Sequence, residues 1–163
     1  MPNFDIARIN AHRKTIEDNL QHLETKRGRA FEEFARDRDG KDAVKYQLQT
    51  AIQALMDITN HLCARLRLKV AENSGECVRA LEREGLIPQA HATQYAKMIR
   101  FRNVLVHLYG EVDERQVYEI VENNLNDFRQ FLVDIDTIVE RHQAKEQSDN
   151  PKKTNGKRST KKS

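Results

Sequence analysis

Between Lys41 and Leu68, apolar or small side chains return every three or four residues, at Val44, Leu48, Ile52, Leu55, Thr59, Leu62 and Leu66. That spacing keeps them on one stripe of a helix, and it predicts a helix of about 28 residues that other elements must cover. The rest of the chain supplies the covers. From Asp5 to about Lys26, Ile9, Ile16, Leu20 and Leu23 give one long amphipathic helix, and a short one is predicted over Ala30 to Arg38 through Phe31 and Phe34. Asp39-Gly40 reads as a break. After Ser74-Gly75 comes a short helix from Glu76 to Glu84, and Gly85 with Pro88 turns the chain into a further helix that Gly110 stops. Asp113 with Gln116 resembles a capping box for a last helix through Val117, Ile120, Val121, Leu125, Phe128, Leu132, Ile135 and Val139. With only six Gly and three Pro among 163 residues, helix is favoured over strand throughout. The expectation is an all-α antiparallel four-helix bundle with one or two short extra helices.

The length suits one domain with a modest core. Cys63 and Cys77 lack metal-ligand or redox spacing and read as buried thiols in a reducing compartment. No apolar run reaches the ~20 residues of a membrane span and the N-terminus lacks a secretion signal, so no membrane partner and a cytoplasmic location are expected. Charge separates the chain further. Residues 144–163 hold seven Lys or Arg against two Asp or Glu, which leaves 21 against 23 before them. Residues 1–143 are therefore read as a helical domain of slightly negative charge, and 144–163 as a disordered basic tail. Such a body meets a polyanion only through a local patch.

One helix carries an unusual polar set. In RFRNVLVHLYG, residues 100–110, Arg102, Asn103, His107 and Tyr109 interrupt Val104, Leu105, Val106 and Leu108, which read as buried. Four such groups in eight residues make a poor core, because a buried guanidinium is costly unless an anion meets it. A phosphate oxygen fits. On a straight helix Asn103 and His107 share a face, whereas Arg102 and His107 point ~140° apart. Either the helix bends near His107 or a second copy completes the set, and a cleft shared in a homodimer is preferred. Asp57 and His61, one turn apart beside Ala54 and Ala64, are weaker candidates that line the cleft or form a solvated face.

The run from Arg102 to Tyr109 is an instance of RX4HXY near the end of the third long helix, and it resembles the HEPN superfamily, within it the HepT toxins. IQALMDITNHL (52–62) and REGLIPQAHATQYAKMIRFRN (83–103) resemble further family stretches, and the likeness covers roughly residues 5 to 142. It implies a homodimeric, metal-independent endoribonuclease toxin with a composite cleft and no cofactor. It also implies a minimal nucleotidyltransferase (MntA-like) antitoxin as partner, which transfers AMP to the motif tyrosine, here Tyr109. RNA supplies its own 2′-OH nucleophile, so the expected roles are proton transfer by His107, phosphate binding by Arg102, and orientation by Asn103. Two other readings stay open: a non-catalytic nucleotide- or partner-binding module, and a structural helical dimer whose tail binds nucleic acid.

Overall fold

The computed structural model describes residues 3–69 and 73–150. Four long helices form the body: α1 (Ile6–Glu24), α3 (Arg38–Arg65), α5 (Gln89–His107) and α7 (Leu125–Asp149). Three short ones, α2 (Phe31–Arg36), α4 (Ser74–Arg83) and α6 (Glu114–Asn123), sit between them, and among the described residues there is no strand.

Polar contacts fix the directions. Asp5 at the start of α1 donates its backbone N–H to His61 near the end of α3, at 3.0 Å. Tyr109, just past α5, reaches Asp42 near the start of α3. His91 and Gln94 of α5 meet Asp134 and Asp127 of α7 in reverse order, and Arg13 and Glu24 of α1 meet Asp136 and Arg129 of α7 in the same sense. Each long helix therefore runs antiparallel to its two neighbours, in the cyclic order α1, α3, α5, α7, which is the expected four-helix bundle.

The stripe on α3 is buried as its spacing requires, from Val44 to Leu62, and Leu66 packs against its edge. Ile16, Leu23, Tyr95, Leu105, Phe128 and Ile135 close over it from the other helices. At roughly 1.5–3 kcal/mol per fully buried large apolar side chain, this interior carries the stability of the domain. Tyr95 enters it ring first, edge-on to Phe131, and its hydroxyl donates to Asp134 Oδ2 at 2.5 Å. Burial and that carboxylate push the phenol's pKa far up. Cys63 and Cys77 are buried free thiols, and Cys63 Sγ donates to the Cys77 carbonyl, 3.4 Å away.

Several boundaries differ from the sequence expectation. Gly40 does not break the chain but lies in the first turn of α3, where its N–H donates to Asp37 Oδ1 at 2.9 Å. A Cβ there would lie 2.0 Å from Asp37 Oδ2, so the cap itself selects glycine. Helix α4 begins earlier than expected, at Ser74, because Asn73 caps it through Glu76 N. Gly85, with φ at +69°, ends α4 in the manner expected: Leu86 N donates to Leu81 O and Gly85 N to Glu82 O.

The last helix is two helices. Asn124 adopts φ −120° and ψ 5°, dividing α6 from α7, and Asp113 caps α6 through Arg115 N. Finally, α7 continues to Asp149, so residues 144–149 of the segment read as tail are helical, while 151–163 lie outside the described residues. No helix among the described residues is long and apolar enough to cross a membrane.

Candidate functional site

Helix α5 begins behind Pro88 and stays regular through His107, held by the buried Ala92, Tyr95, Ile99, Phe101 and Leu105. The helix is unbroken between Arg102 and His107, five residues apart, so on its regular geometry their side chains diverge within one chain. The change of course comes one residue later. Leu108 takes φ −130° and ψ 40°, and Tyr109–Glu111 form a 3-10 turn, so the tyrosine leaves the helix axis that carries Arg102, Asn103 and His107. Gly110 lies inside that turn rather than at the stop, and its φ is not positive.

Of the four apolar residues between Arg102 and Tyr109 only Leu105 is buried. This corrects the reading of Val104, Val106 and Leu108 as core. Val104 is half-buried, and Val106, Leu108 and Tyr109 are exposed large hydrophobic residues, with Leu108 at 48% and Tyr109 at 49%. Tyr46, one helical turn beyond Asp42 on the same face of α3, is 66% exposed. The motif thus sits within an apolar patch built from the end of α5 and the start of α3.

Arg102 is half-buried. Its Nη1 donates to Asn103 Oδ1 at 3.2 Å, while its Nε is buried without a partner. A buried N–H with no acceptor is uncommon and costs about 1–3 kcal/mol. His107 is exposed. Asn103 opens onto a cleft of about 580 Å³ between α3, α4 and α5 that Arg79 and Arg100 also line. A smaller cleft of about 230 Å³, lined by Phe101, Ile120 and Phe128, receives none of the motif's polar groups.

Tyr109 is held by two residues that sequence reasoning missed. Its hydroxyl donates to Asp42 Oδ1 at 2.8 Å, and Lys45 Nζ lies 4.9 Å from its ring centroid. Lys45 is only 8% exposed, which is unusual for lysine, and the ring face is what makes the position tolerable. The Asp42 hydrogen bond, more than burial, raises the tyrosine's pKa above its ordinary value.

Asp57 and His61 lie farther along α3, and their contacts are with α1 and with α3 itself. His61 is buried and its Nε2 accepts from Asp5 N, whereas Asp57 accepts from Gln53 and lies 3.9 Å from His12. Within one chain the fold does not bring them to the motif. Among the described residues no three His, Cys, Asp or Glu side chains cluster as a metal ion's ligands would.

A family model described as ribonuclease HepT-like matches residues 16–135, a span reaching from mid-α1 to mid-α7 that includes the whole motif. The chain belongs to the HepT-like ribonuclease family. Among HepT relatives, the mRNA nuclease HepT of Shewanella oneidensis is 32% identical over 100 residues, covering 61% of this chain and 75% of the relative. The tRNA nuclease HepT of Aphanizomenon flos-aquae is 23% identical over 139 residues, 85% of this chain and 95% of the relative. A solved structure of tri-AMPylated Shewanella oneidensis HEPN toxin in complex with MNT antitoxin superposes with a TM-score of 0.67 at 28% identity, covering 86% of this chain and 99% of that one.

Proposed function

We propose that this HepT-like chain is a metal-independent endoribonuclease toxin whose cleft forms where two copies meet. In that cleft His107 transfers the proton of an attacking 2′-OH, and Arg102 offsets the charge that grows on the phosphate. Asn103 orients the guanidinium it already bonds. The observation that carries the reading is the company these groups keep: an exposed His107 and a buried, partnerless Arg102 Nε in the middle of an exposed apolar patch. A second copy laid on that patch buries Tyr46, Val106 and Leu108. It also supplies what the regular α5 cannot, a histidine facing the arginine of the other chain. Arg100 beside Asn103 offers further charge for an RNA backbone, whereas Arg79 is paired with Glu82 at 2.9 Å. Asp57 and His61 would line such a cleft only through the other copy.

A nucleotidyltransferase antitoxin of the kind bound to the Shewanella toxin would silence the cleft by placing AMP on Tyr109, a bulky anion close to the phosphate site. The test is cleavage of a labelled RNA by the purified chain in EDTA. Fragments ending in 2′,3′-cyclic phosphate are expected, with a loss of about 10²–10⁴-fold in His107→Ala, whose exposed side chain leaves the fold intact. Undiminished cleavage by that variant removes His107 from the mechanism. RNA binding without cleavage by the wild-type chain would favour the non-catalytic module.

A further inference from the structure

We propose that Asp42 is the base that takes the phenolic proton when Tyr109 receives AMP, so that the chain contributes a catalytic group to its own modification. The inference rests on the reading of Tyr109 as the acceptor of AMP and adds what makes that phenol reactive.

The geometry is specific. Asp42 Oδ1 accepts the Tyr109 O–H at 2.8 Å across 67 residues of sequence, from the helix antiparallel to α5. One turn along α3, Lys45 lies over the same ring. The hydroxyl is held while half of the residue stays open to an approaching partner. Asp42 itself is exposed and carries no other polar contact among the described residues. A phenol bonded to a carboxylate is less acid than a free one, and the pKa of Tyr109 is raised for that reason first. At neutral pH the nucleophile is therefore the phenol, and its proton must leave while the new bond forms.

The step balances as follows. A lone pair of Tyr109 Oη attacks the α-phosphorus of a nucleoside triphosphate held by the transferase. The bond from that phosphorus to the bridging oxygen breaks, and pyrophosphate departs with the electron pair. The phenolic proton passes to Asp42 Oδ1 and from there to water. An aspartate accepting a substrate hydroxyl's proton is the arrangement protein kinases use, with the difference that here the substrate brings the aspartate. Lys45, over the ring face, helps to hold the tyrosine in place for the transfer. The other titratable groups close to the tyrosine along the chain are His107 and Glu111, each two residues away, and Lys41 on α3 is held by Glu114 of α6 at 2.8 Å.

The experiment uses the full chain, a nucleotidyltransferase antitoxin that forms a complex with it and ATP, with AMP transfer followed by intact mass under single-turnover conditions. Wild type, Asp42→Asn and Tyr109→Phe are compared between pH 6.5 and 9, with thermal melts to show that each is folded. Tyr109→Phe is expected to gain no AMP. Asp42→Asn is expected to react about 10²-fold or more slowly at pH 7. The wild-type to Asp42→Asn rate ratio should also fall steeply, by up to about tenfold per pH unit, because only the variant must wait for solvent to ionise the phenol. Groups of the transferase titrate in both reactions and cancel in the ratio. A ratio below about threefold at pH 7, or one that does not change with pH, overturns the role of Asp42 and leaves the modification of Tyr109 standing. Failure of the wild-type chain to gain AMP, or equal gain by Tyr109→Phe, overturns both.

Discussion

Arg102→Met separates what Arg102 does for the fold from what it does for RNA. Methionine keeps most of the unbranched stem that packs along α5 and removes the guanidinium. Two contributions then change. The bond from Nη1 to Asn103 is lost, worth about 0.5–1 kcal/mol at an exposed site, and so is the buried Nε that has no acceptor, whose presence costs about 1–3 kcal/mol. The second is the larger at mid-range, so the variant should be more stable, by up to about 2.5 kcal/mol. For a chain of this size that is a rise in Tm of up to about 10 °C, measured by calorimetry at fixed protein concentration because the Tm of a chain that associates depends on it. RNA cleavage should fall by about 10²–10³-fold in the same preparation, the usual cost of removing a group that stabilises charge in the transition state. A Tm lower by more than about 2 °C would mean that the guanidinium holds the fold together. Retained cleavage would mean that it does not meet the phosphate.

Two further outcomes are expected. Leu108→Glu puts a charge into the exposed apolar patch and should halve the mass seen by light scattering while abolishing cleavage; Val133→Glu, 62% exposed on α7 near the other end of α5, serves as the control and should change neither. Acid should loosen the junction of α1 and α3. Burial first, and then the nearby Arg65 and Arg8, hold the pKa of His61 below its ordinary 6.5, and its Nε2 must be unprotonated to accept from Asp5. A folded-state pKa depressed in this way gives stability that is present above about pH 6.5 and lost as pH falls below it. His61→Gln keeps an acceptor without titrating, so its Tm should drop less between pH 7.5 and 5.5 than that of the wild type, and equal drops would refute the assignment.

The bundle was legible because its stripes are long and uninterrupted. The buried faces of α1 and α3 are the ones their spacing predicts, and α7 follows its predicted stripe through Leu125, Phe128, Leu132 and Ile135 but also buries Phe131 and Ile138, with Val139 only half-buried. The break at Asn124 was not, because Val121, Leu125 and Phe128 keep helical spacing across it and the sequence carries no glycine or proline there. Asp57 and His61 share a face one turn apart, but the wheel did not show their neighbour: α3 is covered on more than one side, and α1 lies against the face that carries them. Within the motif, periodicity counted Val106 and Leu108 as interior because it reports which residues share a face and not whether this chain alone covers that face. Asp42 and Lys45 were invisible for a different reason. In KDAVK they read as an ordinary charged first turn, and only the antiparallel return of α5 brings a tyrosine to them.

The turn at Leu108 divides the motif into two mechanical parts. Arg102, Asn103 and His107 ride on a helix anchored by the core, where a shift of any one would strain the bundle. Tyr109 hangs beyond it on a short turn whose residues are all solvent-facing, tethered chiefly through side chains of α3. On the proposed reading, sequence drift at Asp42 and Lys45 therefore retunes the site of AMP transfer without moving Arg102, Asn103 or His107. A lineage that changes partners would be expected to rewrite the second part first, and an engineer wanting an enzyme that ignores its inhibitor would start in the same place.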